Sequence, residues 1–410
     1  MGKTYQEHAE LASKYEFFSD KEKETFHFER LKTILNFAYS NNTFYKQFYD
    51  SKGYNPASFT RLSDFYDVPI VTKADLKAFD LDARSSSSGS PFKVNTGGTS
   101  GEPLAFFLDK NSFSREWAYM HKIWSKLGYS YLDAKLTFRG KNNNGTPLQY
   151  NVIHNEYVVD AYVSIDLLVD SIELLTAKKD IKYLHGYPSS IYAFCKFLDE
   201  HSIDSGELFN NKLQGVFFGS EYPATKYRNL IERVLKVPTL SWYGHSEMAI
   251  LAFENNEAFR YYPFQTYGFT EAVDCRGGES RLVGTSYYNF NSPFIRYDTG
   301  DRINDLKHQS GILESFKIAS GRVGDIILDK QGNPISLTAL IFGRHHEAFD
   351  QIDFLQVKQS SRGVATLYVS SKSKVSIDMF DTSNVDIIFD IEITDSPFKT
   401  PSGKVPLLIS

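Results

Sequence analysis

The sequence has little of what marks secreted, membrane-inserted or disulfide-stabilised proteins. Its 410 residues include only two cysteines, Cys195 and Cys275, which lie far apart without the spacing of metal ligands, so no disulfide framework is expected. The N-terminus lacks the apolar core of a signal peptide, and Gln6 stands where a myristoylation motif needs Ser or Thr. No apolar run is long enough to span a bilayer. We therefore expect no membrane insertion and a reducing, cytoplasmic location.

A strong charge imbalance is also missing. The formal net charge is -5 and the sequence pI is about 6.1, with no basic stripe and no block of like charge, so a nucleic-acid partner is not expected. Apolar residues make up 41% and aromatic residues 15% of the chain, which is enough for a sizeable core. The length allows two domains.

Alternating strand and helix patterns predict an α/β fold. Apolar spacing predicts a helix in "FHFERLKTILNFAYSNN", and Thr72 is a candidate N-cap of a short helix. "RGKNNNGTP" (Arg139–Pro147) is typical of a turn-rich loop, and "HGYPSSIYAFCKFLDE" of a loop and a helix with Cys195 in its buried stripe. Strand, glycine turn and helix then recur, which favours ligand binding beyond the strand ends. After "GRVGDII" the chain becomes more β-rich, which predicts a small C-terminal domain over 318–410 behind a large domain over 1–317.

The segment "NTGGTSGEP" (Asn95–Pro103) carries three glycines and three hydroxyl side chains. Glycines let backbone N–H groups approach an anion, and Thr and Ser add donors. Neither a Walker loop nor a dinucleotide fingerprint is present. Taken alone, a turn of this composition is more often an ordinary loop than a phosphate cradle.

Four further segments have the chemistry of a nucleotide site, although each alone is typical of an ordinary loop or surface. In "YGHSE" (Tyr243–Glu247) the tyrosine has a flat face for a purine and the glutamate suits a metal–phosphate. "RYDTGD" ends in Asp301, whose two oxygens suit ribose hydroxyls. Arg322 offers a planar cation, and "TPSGK" presents Lys404 near the C-terminus.

In this order, the motifs resemble those of the adenylate-forming superfamily, which includes acyl-CoA synthetases, peptide-synthetase adenylation domains and firefly luciferase. The series runs "TGGTSGEP", "GSEYP", "YGHSE", "YDTGD", "GRVGD" and "GK", and spans Thr96 to Lys404. The segment before it is similar to the N-terminal part of phenylacetate–CoA ligases. "RGK", "GYPSS" and "SPFIRYDTGD" look like a sub-branch found in capsule and surface-polysaccharide gene sets.

The resemblance implies a fold and a set of roles. The fold is a large N-terminal adenylate-forming domain with mixed sheets and helices, followed by a small α+β C-terminal lid domain. The implied nucleotide-binding residues are Thr96, Gly97, Gly98, Thr99, Ser100 and Gly101 around the phosphates, Ser220, Glu221, Tyr222 and Tyr243 at the adenine, Ser246 at the α-phosphate, and Asp301 with Arg322 at the ribose, together with Gly244. Glu247 would hold Mg²⁺, and Lys404, Arg322 and Glu247 would form the catalytic set.

Some positions depart from the family pattern. The hinge position, usually Asp or Lys, is Gly324, which still allows large backbone changes. The region "LAFENNEAFRYYPFQTYG" has no Cys or His, so no zinc is expected. The segment that often contacts the CoA arm is reduced to Asp329–Ser336, which leaves open whether CoA is bound. Candidates for the acyl pocket, each equally compatible with a structural role, are Arg139, His185, Tyr187, Trp242 and His245.

Three functions follow as alternatives. The first is an ATP-dependent, AMP-forming ligase that activates a small carboxylic acid and transfers the acyl group to a thiol, either CoA or a carrier protein. The second transfers the acyl group to an amine, such as an amino sugar, in surface-polysaccharide biosynthesis. The third is a non-catalytic nucleotide-binding module, although such a module needs neither Lys404 nor Glu247. Related ligases are often dimers, so a homodimer is a further expectation.

Overall fold

The structure is a computed structural model that describes residues 2–86, 91–96, 104–220, 223, 225–274, 279–318, 326–337, 340–341, 344, 346–352, 354–371, 373–395, 398 and 407–409. The α-helices within these residues are α1 (Lys3–Lys14), α2 (Asp20–Asn41), α3 (Thr43–Ser51), α4 (Lys73–Lys77), α5 (Ser112–Trp124), α6 (Ile165–Thr176), α7 (Pro188–Glu200), α8 (Ser205–Leu208) and α9 (Thr225–Leu235). No helix in these ranges is long and apolar enough to cross a membrane.

The strands within the described residues are β1 (Phe92–Asn95), β2 (Ala105–Leu108), β3 (Lys135–Lys141), β4 (Leu148–Asn151), β5 (Glu156–Asp160), β6 (Tyr183–Gly186), β7 (Gly215–Phe218), β8 (Thr239–Gly244), β9 (Leu251–Glu254), β10 (Arg260–Pro263), β11 (Gly268–Asp274), β12 (Ser280–Ser286), β13 (Tyr297–Gln309), β14 (Ile312–Ile318), β15 (Ile326–Leu328), β16 (Pro334–Ser336), β17 (Phe354–Ser361), β18 (Val364–Ser370), β19 (Ile388–Thr394) and β20 (Leu408–Ile409). The chain therefore has a mixed α/β fold.

The chain divides into two compact units, each built from separate chain segments. Unit 1 comprises the described residues up to position 96, Leu104–Lys126, and those from 242 to 320. Unit 2 comprises Leu127–Ser241 and the described residues after position 321. The expected division of the chain into domains 1–317 and 318–410 stays a prediction.

Unit 1 combines helices with an antiparallel sheet. Helix α2, predicted from its apolar spacing, begins at a capping box formed by Ser19 and Glu22 and buries Leu31 and Leu35. Thr72 caps α4 as predicted, because its hydroxyl accepts from the backbone N–H of Asp75. The sheet runs in the order β11, β12, β13, β14, β10, β9, and the second half of β8 pairs with β9. The helices and loops pack on this sheet through an aromatic-rich core.

Unit 2 contains a mostly parallel sheet. Strands β7, β6, β3 and β5 are parallel, the first half of β8 extends the sheet beside β7, and β4 pairs antiparallel with β5 at the edge. One face of this sheet is covered by apolar side chains of α6, α7 and α9. Helix α7 buries the predicted stripe, including Cys195, whose thiol pKa is raised by burial. Strand β3 continues through Arg139 to Lys141, so the turn begins later than the sequence predicts.

The described residues near the C-terminus have a core of their own. Strands β17 and β18 form an antiparallel pair, which β19 and β20 extend in parallel fashion on either side. Buried apolar residues from Ile327 to Leu407 pack together here, apart from the core under the parallel sheet. The predicted strands "ATLYVSS" and "VDIIFDIEI" correspond to β18 and β19.

Candidate functional site

The end of β8 and the start of β13 are joined by a hydrogen bond in unit 1. Tyr243 is partly buried in β8, and its phenol donates to Oδ2 of Asp301 across 2.7 Å. The Tyr243 ring also meets Phe316 edge-on, with ring centroids 6.1 Å apart. Gly300, immediately before Asp301, has φ +81°, a backbone angle that favours glycine. Two side chains that the sequence singles out are thus direct neighbours.

Glu247 is held in the same region of unit 1. It is buried, its Oε1 accepts from the phenol of Tyr297 at 3.0 Å, and its Oε2 lies 3.0 Å from Nδ1 of His245. Burial alone would raise the pKa of Glu247, but the charge of His245, its hydrogen bond and the charge of Lys73 lower it to about 2. Glu247 is therefore a carboxylate at neutral pH.

A segment distant in sequence joins this network. Val71 forms a parallel bridge with Tyr297: its N–H donates to the carbonyl of Arg296 at 3.0 Å, and its carbonyl accepts from Asp298 at 2.9 Å. The bridge places α4, with Lys73 at its start, beside the first residues of β13. Sequence reasoning assigned no role to Tyr297 or Lys73, although both lie in segments used for the resemblance.

Arg296 stabilises this bridge through a buried ion pair and two hydrogen bonds to backbone carbonyls. Its backbone has φ +45°, which is rare for a side-chain-bearing residue, and its guanidinium lies 3.0 Å from Glu271 in a buried ion pair. The same guanidinium donates to the carbonyls of Tyr66 and Val68, both at 2.6 Å. These bonds fix the chain that leads into Tyr297 and thereby orient the phenol that reaches Glu247.

The remaining candidates of unit 1 lie beside Tyr243 in the chain or at the end of β1. Trp242 precedes Tyr243 and meets Trp124 edge-on, with ring centroids 5.9 Å apart. Gly244 and Ser246 are exposed, whereas His245 is partly buried against Glu247. Thr96 is buried, and its N–H and hydroxyl bond the backbone of Leu104 at 3.0 and 2.9 Å. These two bonds close the hairpin of β1 and β2 at the base of the predicted phosphate loop.

The candidates of unit 2 lie at the carboxyl ends of its parallel strands. His185 is fully buried near the end of β6, Tyr187 follows that strand, and exposed Arg139 lies near the end of β3. Ser220 follows β7 with φ +69°, a left-handed conformation of the kind that clusters at functional sites. The other predicted residues lie outside the described ones: Gly97, Gly98, Thr99, Ser100, Gly101, Glu221, Tyr222, Arg322, Gly324 and Lys404.

The residues around Glu247 fit one kind of metal site. Within the described ranges, no group of three or more His, Cys, Asp or Glu side chains is arranged to hold a metal ion. A single buried carboxylate such as Glu247 does not make a closed site by itself. Mg²⁺ is commonly held by one or two carboxylates together with substrate phosphates and waters. Glu247 therefore suits Mg²⁺ only when a bound nucleotide and waters supply the remaining oxygen ligands.

Comparison with curated proteins gives one distant relative. No family model matches the chain. The protein CapK of Staphylococcus aureus is 22% identical over 282 residues, which cover 67% of this chain and 61% of that protein. The chain thus matches less than two thirds of the length of this relative.

Solved structures give broader similarity. The 2-hydroxyisobutyryl-CoA ligase in complex with 2-HIB-AMP and CoA in the thioesterification state is 17% identical, with a TM-score of 0.57 over 95% of this chain and 90% of that chain. An open conformation of that ligase has a TM-score of 0.56 and 16% identity over 95% and 92% of the two chains. The AtGH3.15 acyl acid amido synthetase in complex with 2,4-DB has 13% identity and a TM-score of 0.50 over 88% and 83%. The chain therefore has the fold of the adenylate-forming ligases.

Proposed function

We propose that the protein is an ATP-dependent, AMP-forming ligase that activates a small carboxylic acid as its acyl-adenylate. The main support is the pair of contacts in unit 1 from Tyr243 to Asp301 and from Tyr297 to Glu247. They put a flat aromatic ring beside a carboxylate that suits ribose hydroxyls, and they hold a buried ionised carboxylate a few residues after that ring in the chain. An ATP site can use all three chemistries.

The nucleotide would be bound by groups of different kinds. Tyr243 would stack on the adenine, which Ser220, Glu221 and Tyr222 would border. Asp301 would accept hydrogen bonds from the ribose hydroxyls, and Arg322 would donate to ribose oxygens. Backbone N–H groups and hydroxyls of Thr96–Gly101 would surround the phosphates, and Gly244 would let the chain pass close to the nucleotide before Ser246 reaches the α-phosphate.

The reaction requires charge neutralisation more than covalent catalysis. A carboxylate oxygen of the acid attacks the α-phosphorus, the bond from this phosphorus to its bridging oxygen breaks, and pyrophosphate leaves with the electron pair. Lys404 would stabilise the negative charge that develops at the α-phosphate. Glu247 would hold Mg²⁺, which supplies positive charge to the phosphates when bound. Because the pKa of Glu247 is lowered to about 2, its carboxylate is ready to do so at neutral pH.

In the second half-reaction the acyl group would pass to an acceptor. We propose a thiol, of CoA or of a carrier protein, and rotation of a C-terminal domain over 318–410 about Gly324 between the two half-reactions. An amine acceptor is the second candidate, supported by the likeness to an acyl acid amido synthetase and by the distant likeness to CapK. With an amine, the product would be an amide, as in modification of an amino sugar during polysaccharide synthesis in the cytoplasm.

The deciding experiment is an acid panel. The protein is incubated with ATP, Mg²⁺ and single acids, pyrophosphate release is measured, and hydroxylamine traps the adenylate as a hydroxamate. Addition of CoA or an amine then identifies the acceptor. If ATP binds but no acid releases pyrophosphate, the protein is a nucleotide-binding module and the proposal is wrong.

Lys404 provides a second test of the same proposal. Lys404→Ala should abolish pyrophosphate release while leaving ATP affinity within about threefold, because the lysine acts on charge that develops during the reaction. Lys374→Ala is the matched control, since it removes an exposed lysine from the same C-terminal region. Wild-type adenylation by Lys404→Ala would disprove the assigned role.

A further inference from the structure

The C-terminal segment of unit 2 is joined to the parallel sheet of the same unit by a small set of side chains. We propose that Arg344 and Tyr162 form a latch that holds the C-terminal segment in one orientation, and that opening of this latch lets the segment move between adenylation and acyl transfer. This inference rests on the proposed function and names the contact that controls its domain movement. It follows from the geometry on each side of the contact and from the separation of two hydrophobic cores.

Arg344 makes the contact from the C-terminal side. Its Nε donates to the hydroxyl of Tyr162 at 2.8 Å, and its guanidinium carbon lies 4.2 Å from the centre of the Tyr162 ring. Tyr162 follows β5 at the carboxyl end of the parallel strands. A second contact runs from Nδ2 of Asn142, just after β3, to the hydroxyl of Ser383 at 3.1 Å. The chain segments after β3 and β5 are thus both bonded to the C-terminal segment.

The guanidinium of Arg344 is held firmly on the C-terminal side. Its side chain is only 3% exposed, and Nη1 donates to the carbonyl and to Oδ1 of Asp381 at 2.7 and 3.0 Å. The backbone N–H of Asp381 donates to Nδ1 of His346 at 2.9 Å, and its Oδ1 also accepts from the hydroxyl of Ser383 at 2.5 Å. These bonds lie within the C-terminal segment and would stay intact if it moved. The contact that opens would therefore be the one between Arg344 and Tyr162.

The sheet side of the latch is organised by one buried carboxylate. Asp160 accepts from the backbone N–H of Asn143 at 2.8 Å and from that of Tyr162 at 2.9 Å. Hydrogen bonds to an ionised group are stronger than those between neutral groups. They fix the turn that contains Asn142 and the residue Tyr162 relative to each other. The partner surface for Arg344 is thus formed within the sheet part itself.

The latch connects two parts of unit 2 that have separate cores. Among the described residues, the apolar core of the C-terminal segment has no member in common with the core under the parallel sheet. Nη2 of Arg344 is buried without a hydrogen-bond partner within the described ranges, which offsets part of what its other contacts contribute. One charge-assisted hydrogen bond, one cation–π contact and one exposed hydrogen bond can favour one orientation and still be released by a ligand that prefers the other.

Weakening the latch should affect the two half-reactions differently. A contact that stabilises one orientation lowers the population of the other, so its loss shifts the equilibrium between them. The half-reaction that uses the latched orientation should then slow, whereas the other should not. A purely structural role of Tyr162 would instead lower both rates together.

The orientation is measured first, without any reaction. Spin labels on Lys178→Cys, in the turn after α6, and on Lys374→Cys, in the C-terminal segment, report the distance between the two parts by double electron–electron resonance. Both positions are exposed. Cys275→Ser keeps the label off that cysteine, and Cys195 is buried. The wild-type background should show one main distance.

Tyr162→Phe is the decisive variant, because it keeps the ring and removes only the hydroxyl that accepts from Arg344. We expect a second distance to appear, with the ratio of the two populations changed by about 10-fold. Tyr157→Phe is the matched control. It removes a phenol from β5 itself, where the ring of Tyr157 lies 4.9 Å from that of Tyr150, and it should keep the wild-type distance.

The half-reactions are then measured separately. Adenylation is followed by hydroxylamine trapping, and acyl transfer by product formation in a single turnover after addition of CoA or the amine that the acid panel identifies. In Tyr162→Phe the ratio of the two rates should change by about 10-fold, and in Tyr157→Phe it should not. Asn142→Ala, which removes the second contact, should change the ratio in the same direction by a smaller amount.

Each other outcome has a distinct meaning. If Tyr162→Phe keeps both the wild-type distance and the wild-type ratio of rates, the latch is wrong while the adenylation function stands. If both rates fall alike at an unchanged distance, Tyr162 has only a structural role and the latch is also wrong. If no acid is activated, the proposed function fails, and the spin-label distances alone decide whether the latch exists.

Discussion

The phenol of Tyr297 donates a hydrogen bond to Oε1 of Glu247 across 3.0 Å and joins the first residue of β13 to the loop after β8. The bond fixes one oxygen of a buried carboxylate, while His245 lies against the other. A carboxylate held on both sides has one orientation. In the proposed enzyme this orientation would decide how well Glu247 meets Mg²⁺.

Replacement of Tyr297 by Phe should therefore impair metal use, beyond any loss of stability that a matched control shares. We expect Tyr297→Phe to raise the Mg²⁺ concentration needed for half-maximal pyrophosphate release by about 10-fold, as is usual when a group that orients a metal ligand is removed. The aromatic ring keeps its packing, but loss of a hydrogen bond to a buried carboxylate should also lower the free energy of unfolding by about 1.5 to 3 kcal/mol. Pyrophosphate release measured over a Mg²⁺ titration checks the prediction.

Tyr45 offers a matched control for that substitution. Its phenol is also buried, but it donates to the carbonyl of Pro293 and accepts from the N–H of Ile295, both at 2.9 Å. Tyr45→Phe should lower the free energy of unfolding by about 1 to 2 kcal/mol without changing the Mg²⁺ dependence. Equal Mg²⁺ curves for both variants would show that the bond to Glu247 has no part in metal binding.

Asp301 should recognise the sugar of the nucleotide. If its carboxylate accepts the ribose hydroxyls, wild type should bind 2′-deoxy-ATP about 10-fold more weakly than ATP, and Asp301→Asn should bind both nucleotides almost equally. Isothermal titration with the two nucleotides measures this. Asp298→Asn is the control, because Asp298 accepts from the N–H of Gly300 and lies 3.4 Å from Arg281. A full 2′-hydroxyl preference in Asp301→Asn would contradict the role.

Local features of the fold could be predicted from the sequence because neighbouring residues determine them. The hydroxyl of Thr72 caps α4, and the apolar stripe of α7 that includes Cys195 is buried. Both depend on residues only a few positions apart. The end of β3 was predicted wrongly, since "RGKNNNGTP" has the composition of a turn although the strand runs on to Lys141, which pairs with Asp160 of β5.

The roles of the candidate site residues stay predictions, although one contact between them is now described. The order of the motifs pointed to Tyr243, Glu247 and Asp301; Tyr243 bonds Asp301, and Tyr297 and His245 form a network around Glu247. The support for this network could not be predicted, because the bridge from Val71 to Tyr297 joins segments that are distant in the chain. No local pattern signals such a bridge, and a single sequence gives no information on pairs of distant positions.

Gly186 should be intolerant of any side chain. It ends β6 with φ +147°, and a Cβ there would lie 2.0 Å from the carbonyl oxygen of Phe138 on β3. Gly186→Ala should therefore lower the free energy of unfolding by about 3 kcal/mol or more, since the strand pair must separate. Gly53→Ala is the control, because Gly53 has φ +65° but no atom within 4 Å of the place its Cβ would take, and should cost only about 1 kcal/mol. Equal urea midpoints would disprove the steric argument.

His27 should make the protein sensitive to acid. It is fully buried between the phenols of Tyr15 and Tyr287, at 2.6 and 2.7 Å, and burial, with a smaller effect of Lys23, lowers its pKa from 6.5 to about 3. The unfolded chain thus binds this proton more strongly than the folded one. The contribution of neutral His27 to the free energy of unfolding is complete above pH 6.5 and is lost progressively as the pH falls toward 3. At roughly 1.4 kcal/mol per pKa unit, this contribution amounts to about 5 kcal/mol.

His27→Gln should flatten this acid dependence, because glutamine can bond both phenols but cannot take up the proton. Urea unfolding at about pH 7, 5 and 4 measures how the free energy of unfolding changes with pH. These values cover roughly the range in which the imidazole of the unfolded chain takes up its proton. Some slope should remain, since burial also lowers the pKa of His8 to about 4. His201→Gln is the control at an exposed histidine and should keep the wild-type slope. If His27→Gln also keeps it, burial of His27 is not the source of the acid sensitivity.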